Sequence, residues 1–327
     1  HDLLDPNLDR ISDRLELAFE RLPAMATAGI KNVINGPFVF SPDGNPMLGP
    51  VPGKKNYWVA VGVMAGFCQA GGVGRTIAEW LIEGEPSIDI WAMDISRFGE
   101  FATPQWGVVK SSENYERRFV MTFPNETLPK GRKQKTTAIY DRLTQKGAMW
   151  QQSFGLENAM WFADSPQDAH EEPTFHRSRA HDYIGAEVMA VREQVGAIEI
   201  ANFANHQFTG KGARAFLEFV LAGMIPKPGR VILNPMLRES GKLFGDFSVA
   251  CIDKDTFYLL GSSVAQEMHR RCFDEKLEGF SNVSYKNMTD DFHGIAIAGP
   301  NSRELLSRLT REDVGCETFK FRDVRNT

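Results

Sequence analysis

No stretch of this sequence runs for 18 residues without a charge while staying apolar, so a membrane-spanning helix is excluded. Cysteine is scarce: there are 4 in 327 residues. Cys68, Cys251, Cys272 and Cys316 stand far apart with no C-x-x-C pair, which excludes a zinc ribbon or a redox dithiol. Scattered single cysteines suit a reducing compartment, the cytoplasm or, in a eukaryote, the mitochondrial matrix. A large excess of one charge is also missing, since the formal net charge is −5. Nothing electrostatic therefore favours nucleic acid as the main partner. There is no tandem repeat. The opening His1-Asp2-Leu3-Leu4-Asp5-Pro6 is neither a signal peptide nor an initiator, and an internal piece of a longer polypeptide is expected.

What is present is an ordinary globular composition, 42% hydrophobic and 24% charged. The length favours two or three domains. The reading is α/β (α+β) and multidomain, with units at 1–92, 93–177 and 178–327. In the first unit Leu8, Ile11, Leu15, Ala18, Phe19 and Leu22 recur at helical spacing, which predicts a helix with one buried face, ended by Pro23. Phe38 to Phe40 reads as a short strand before the turns at Ser41–Pro50, and Asn56 to Gly62 as a buried strand. A helix is predicted from Arg75 to Glu83. Tyr115 to Phe119 reads as a helix end, Pro129 to Lys133 as an exposed loop, and Trp150 to Arg177 as an irregular connector. In the last unit helices are predicted at 185–193, 212–221, 264–273 and 302–309. Strands are predicted at 197–200 and 205–209, with a buried strand at 294–298. A hairpin joins 244–252 to 256–260 through Asp253-Lys254-Asp255.

The segment Val61-Gly62-Val63-Met64-Ala65-Gly66-Phe67-Cys68-Gln69-Ala70-Gly71-Gly72-Val73-Gly74 puts five glycines and two alanines between a strand and a helix. With so few bulky side chains, such a loop can press its backbone on a flat ligand and aim free N–H groups at it, beside a helix N-terminus. The same pattern also serves a tight turn with close packing and no ligand. It is not the dinucleotide fingerprint G-x-G-x-x-G.

This segment, together with Ile34-Asn35-Gly36-Pro37, Phe40 to Pro50, Asn56 to Gly62, Ile90 to Gly99 and Ala138-Ile139-Tyr140-Asp141-Arg142-Leu143, resembles the dimethylglycine/sarcosine dehydrogenase family from the closing half of its flavin domain onward. These are D-amino-acid-oxidase-like flavoproteins. The resemblance covers essentially the whole chain. It implies FAD as a cofactor, with Met64, Ala65, Gly66, Phe67, Cys68, Gln69, Gly71 and Gly72 along the flavin. Backbone donors there would stabilise negative charge on a reduced ring. Several family members carry Asn-Ser, or a Tyr between two glycines, where this chain has Met64-Ala65, so a less polar or wider pocket is expected. The family's G-x-G-x-x-G and its flavin-attaching histidine have no counterpart in this sequence. The chain is expected not to hold a flavin tightly by itself.

Farther on, Val195 to Ile200, Phe208 to Leu217, Ile225 to Arg230, Pro235 to Arg238, Gly241 to Val249 and Ile297 to Ser302 look like the opening of the aminomethyltransferase (T-protein) fold of the glycine cleavage system. That resemblance implies tetrahydrofolate. Its matching segment has two adjacent acids, here Gly245 and Asp246. Asp246 is the implied catalytic residue, a carboxylate able to take a proton from the attacking folate nitrogen, with Phe247 and Ser248 flanking the pterin. On residues alone, Asp246 also reads as a strand-end acid bonded to a neighbouring turn.

The remaining histidines and basic residues point to no metal. His170, His176 and His181 fit no metal-ligand spacing and read as a solvated connector. His206, His269 and His293 are isolated in the sequence and read as surface or hydrogen-bonded structural residues. The run Lys130 to Lys135 reads as a solvated loop, with anion binding as the alternative. Cys68 has no base beside it and is not a nucleophile.

The resemblance implies oxidative demethylation of an N-methylamine such as dimethylglycine or sarcosine, with electrons passed to an electron-transfer flavoprotein or oxygen. The iminium product would be hydrolysed to formaldehyde, or its methylene unit captured by tetrahydrofolate. The rival is a non-catalytic regulatory protein of the same architecture, similar to the pyruvate dehydrogenase phosphatase regulatory subunit.

Overall fold

The computed structural model describes residues 3–326. Its N-terminal part holds α1 (Ser12–Arg21), the antiparallel pair β1 (Met47–Pro50) and β2 (Trp58–Val61), and α2 (Gly66–Glu83). Helix α1 forms where the apolar spacing predicts it, yet none of its residues is buried. Periodicity dictates a stripe, but burying the stripe needs a partner, and here it lies open. No strand forms at Phe38 to Phe40; the extended pairing starts instead at Met47, where β2 supplies the ladder. Strand β2 is half-buried rather than buried. Gly49 decides how α2 docks on this pair. Its φ is +102° and the Trp80 ring of α2 fills the place of its missing side chain, 2.6 Å from where a Cβ would stand. Trp80 also meets Trp58 edge-on, with ring centroids 5.5 Å apart.

Helix α3 (Pro104–Arg117) starts with proline at its first position, and the Thr103 hydroxyl caps it by accepting from the Trp106 N–H at 3.2 Å. Next come α4 (Tyr140–Gln145) and the hairpin of β3 (Ala148–Ser153) with β4 (Leu156–Phe162). The sequence predicts an irregular connector from Trp150 onward, and its first part is this hairpin. The turn is Phe154-Gly155, both at positive φ (49° and 78°). Such two-residue turns normally announce themselves as Asn-Gly or Asp-Gly, and a phenylalanine hides the signal. Buried Trp161 of β4 stacks on Tyr183, centroids 5.2 Å apart, which holds the hairpin against α5 (Ala180–Glu193).

The basic run is not a freely solvated loop. Arg132 pairs with Glu157, which is buried and also accepts from the Lys133 N–H at 2.7 Å. Lys130 reaches Glu116 at 2.6 Å and Lys135 reaches Asp290 at 2.6 Å. These carboxylates take up three of the four charges the anion alternative relied on, and the Lys133 ammonium lies over the Tyr140 ring, 5.5 Å from its centre.

The C-terminal part adds β5 (Gly196–Glu199), β6 (Phe203–Thr209), α6 (Ala213–Val220), β7 (Arg230–Leu237), β8 (Leu243–Asp253), β9 (Thr256–Ser262), α7 (Gln266–Leu277), β10 (Ser284–Asn287), β11 (Ile295–Ala298) and α8 (Ser302–Ser307). Five strands make one antiparallel sheet in the order β10-β6-β9-β8-β7, and β11 pairs with β5 in a separate ribbon. The ribbon explains why β11 is only half-buried although its Ile-Ala-Ile-Ala run predicts a buried strand. One face of the large sheet packs on α6 and α7 around Phe208, Phe216, Leu217, Phe247, Phe257, Leu259 and Phe273. Each such side chain contributes about 1.5–3 kcal/mol by leaving water.

The N-terminal and C-terminal parts meet at Arg271. From α7 its guanidinium gives one nitrogen to Asp94 Oδ2 at 2.8 Å and the other to Asp94 Oδ1 at 3.1 Å and the Pro50 carbonyl at 3.2 Å. It also lies 5.4 Å from the centre of the Trp80 ring. The Asp94 side chain is 2% exposed and that of Arg271 12%. Replacing one partner of such a pair strands a buried charge. Arg271→Met is therefore expected to lower unfolding free energy by about 3–5 kcal/mol in urea denaturation. A change under about 0.5 kcal/mol, the level of an ordinary surface substitution, would show that the pair does not join the two parts.

Candidate functional site

The glycine segment is mostly helix. Its loop is only Gly62 to Ala65; Gly66, Phe67, Cys68, Gln69, Gly71 and Gly72 belong to α2, which starts nine residues before the predicted Arg75. Glycine costs about 1 kcal/mol per position in a helix relative to alanine, and local propensity therefore favours a loop. Docking through Trp80 and buried Thr76 overrides that cost. Gly62 makes the turn at φ +67°, and a Cβ there would touch Ser41 and Met47 at 3.4 Å. The turn thus sits directly on the Ser41–Pro50 segment. Ala65 caps α2 without any side-chain bond, leaving the first-turn N–H groups free of side-chain partners. Gly66, Gly71, Gly72 and Gly74 have nothing within 4 Å of a built Cβ. Phe67 and Cys68 are exposed, while Met64, Ala65 and Gln69 are half-buried. The start of α2 is thus open rather than plugged, with glycines spread around the helix and the exposed Phe67 ring projecting among them.

The second predicted site lies on β8. Successive strand residues point to opposite faces. Asp246 and Ser248 are exposed, whereas Phe247 between them is fully buried in the core. Phe247 is therefore not a folate contact, because its ring packs against Phe273 and His269 on the other side of the sheet. Across the ladder, Asp246 stands beside Pro235, and Ser248 stands between Leu233 and Leu260. Leu233 is 66% exposed. The outer face thus offers an apolar shelf with one carboxylate and one hydroxyl. A side chain at position 245 would point away from it: a Cβ at Gly245 would lie 2.6 Å from His269 Nε2. The absent first acid takes nothing from the face that Asp246 occupies.

His206 and His269, isolated in the sequence, are neighbours in the core with ring centroids 6.3 Å apart. His206 Nδ1 bonds the Tyr285 hydroxyl at 3.0 Å, and His269 Nε2 donates to the Phe244 carbonyl at 3.3 Å. Their other nitrogens, His206 Nε2 and His269 Nδ1, are buried without partners among the described residues. Burial pushes His206 down to about 3, helped by His269, and pushes His269 down to about 4 against the opposing pull of the Phe244 carbonyl and Asp246.

Two clefts flank the Arg271–Asp94 pair, of about 420 and 770 Å³. Trp80, Arg238, Phe244 and Met268 line both, and neither is lined by the α2 glycines or by Asp246.

The open space around the α2 glycines and the buried histidine pair each have a measurable consequence. Gly72→Ala is expected to raise unfolding free energy by about 0.5–1 kcal/mol in thermal melts, since the helix gains and nothing clashes; a loss would mean the face is already occupied. Both buried histidines have folded values below the unfolded 6.5. Unfolded chains therefore bind protons that the folded protein refuses, and stability is lost as pH falls from about 6.5 through 4 to 3. His269→Gln is expected to flatten that slope in urea titrations between pH 6.5 and about 4; an unchanged slope would exclude His269 as a source.

Comparison with known proteins gives three consecutive family matches. The FAD dependent oxidoreductase model matches residues 1–80, the FAD dependent oxidoreductase central domain 83–137, and the GCVT N-terminal domain 139–327. Mitochondrial dimethylglycine dehydrogenase of Mus musculus is 34% identical over 327 residues, 99% of this chain and 38% of that protein. Mitochondrial sarcosine dehydrogenase of Homo sapiens is 26% identical over 361 residues, 98% of this chain and 39% of its own length. The mitochondrial pyruvate dehydrogenase phosphatase regulatory subunit of Mus musculus is 28% identical over 319 residues, 92% of this chain and 35% of its own. The chain thus spans 35–39% of the length of these relatives. The chain belongs to the GCVT N-terminal domain family, here preceded by FAD dependent oxidoreductase and central-domain segments, and is related along nearly its whole length to the dimethylglycine and sarcosine dehydrogenases.

Proposed function

We propose that this chain serves an FAD-dependent oxidoreductase that demethylates an N-methylated glycine derivative, dimethylglycine or sarcosine, and delivers the carbon to tetrahydrofolate. The observation that carries the reading is the alignment of 99% of the chain with a dimethylglycine dehydrogenase at 34% identity. Two features of the fold support it: the open space around the glycines at the start of α2, and the exposed Asp246 on β8. Met64, Ala65, Gly66, Phe67, Cys68, Gln69, Gly71 and Gly72 would hold the flavin. Bound FAD supplies a hydride acceptor for the methyl carbon of the amine. The glycines admit a flat ring to the backbone, and the free N–H groups and positive helix end of α2 favour negative charge beside it. Asp246 would take a proton from the attacking folate nitrogen. Ser248 would bond the pterin edge while Leu233 and Leu260 support its flat side. Holding both reactions in one protein keeps a hydrolysable iminium away from bulk water. Electrons would pass to an electron-transfer flavoprotein or oxygen. The mitochondrial names of the dimethylglycine and sarcosine dehydrogenase relatives favour the matrix.

The similarity to a phosphatase regulatory subunit over 92% of the chain favours a second reading, a non-catalytic regulator. A visible spectrum of the holoprotein separates the two. Flavin bands that bleach on adding dimethylglycine or sarcosine are expected; a colourless protein that binds a phosphatase would replace the enzyme reading. In the same preparation Asp246→Asn is expected to lower the ratio of methylenetetrahydrofolate to formaldehyde by about 10²-fold, the scale of losing an acid–base group.

A further inference from the structure

The strand that carries Asp246 is irregular just before it. In the β7–β8 ladder Leu237 faces Leu243 and Met236 faces Gly245, so Phe244 is an extra residue with no partner opposite. On its other side β8 pairs with β9 only from Ser248 onward. A bulge of this kind bends a strand and re-aims the side chains beside it. The bond that closes it comes from outside the sheet, because His269 Nε2 donates to the Phe244 carbonyl. The imidazole fits only because position 245 is glycine, a Cβ there being 2.6 Å from Nε2 and 3.2 Å from the Phe247 ring. The Phe247 ring in turn covers Gly261, where a Cβ would lie 2.7 Å away, and faces His269 at 4.8 Å between centroids. Residues 244, 245 and 247 are thus clamped on the core side, and Asp246 alone projects outward.

We propose that His269 is a positioning residue that fixes the bulge at Phe244 and thereby aims the Asp246 carboxylate across the outer face of the sheet. This rests on the folate reading of Asp246. The neutral ring has one donor and one acceptor; spending Nε2–H on the carbonyl leaves Nδ1 without a partner among the described residues. A protonated ring would place an uncompensated charge in the core, so the clamp works with the neutral imidazole. The charged groups around it are the Asp246 carboxylate of β8 on one side and, beyond Tyr285 of β10, Asp274, Arg270 and Glu267 of α7 on the other.

The test uses the holoenzyme and two readouts, the ratio of methylenetetrahydrofolate to formaldehyde and the dissociation constant of 5-formyltetrahydrofolate. His269→Phe fills the volume without a donor and is expected to worsen both by about tenfold or more, the scale of a small misplacement. His269→Gln can still donate and is expected to recover both to within about threefold of wild type. Gly245→Ala should reproduce the His269→Phe loss in the presence of His269, and add less to His269→Ala, where only the Phe247 ring at 3.2 Å still crowds the new methyl. A His269→Phe protein with a lowered melting temperature but wild-type ratio and affinity overturns the proposal, leaving His269 a packing residue. If Asp246→Asn itself keeps the wild-type ratio, the folate reading falls and this inference with it. A loss in Asp246→Asn without one in His269→Phe sinks this inference alone.

Discussion

A buried guanidinium organises this chain. Arg271 is held by both oxygens of Asp94 and by the Pro50 carbonyl, and Asp94 also accepts from the Ser96 N–H at 2.8 Å. The Asp94 carbonyl takes a bond from Arg97, whose other nitrogens grip Asp43 at 2.7 and 2.9 Å. The charges run Asp43, Arg97, Asp94, Arg271, tying the turn after Ser41 to the segment around Asp94 and that to α7. Removing Arg271 would leave the buried Asp94 carboxylate without its charge partner, at a cost of several kcal/mol, whereas Asp43 at the other end is 37% exposed and stays in reach of water.

The same helix reaches the other site. His269 and Arg271 are two positions apart on α7, about 200° around the helix axis. One points under β8 to the Phe244 carbonyl and the other out to Asp94. Helix α7 is thus clamped on one side to the part that carries the α2 glycines, and on the other to the strand that carries Asp246. A displacement of α7 would be felt in both places, because interiors packed at this density do not deform smoothly.

Much was legible in local sequence. The β8–β9 hairpin, helix α6 and the end of α3 fall where alternation, 3.6-residue spacing and stop signals put them. Other elements depart from local expectation for identifiable reasons. The β3–β4 turn is Phe154-Gly155, and no turn rule anticipates phenylalanine at positive φ. The glycines of α2 have poor helix propensity, and the contact that overrides it comes from Gly49 and Trp58 on another element. Adjacency in the chain suggests that Phe247 shares the site of Asp246, although strand geometry sends neighbours to opposite faces.

The sequence by itself determined the β8–β9 hairpin, helix α6, the amphipathic stripes, the glycine-rich stretch and the single acid at 246, because these arise from short-range sterics and from the spacing of apolar residues. Tertiary structure alone decided which stripes are covered, that the glycine stretch is mostly helix, and that His206 meets His269. It also decided that Arg271 meets Asp94 across 177 positions. Pairings at such separation depend on how sheets and helices close on one another, and the cost of burying an unpaired charge or polar atom, which selects among those closures, is written in no local pattern.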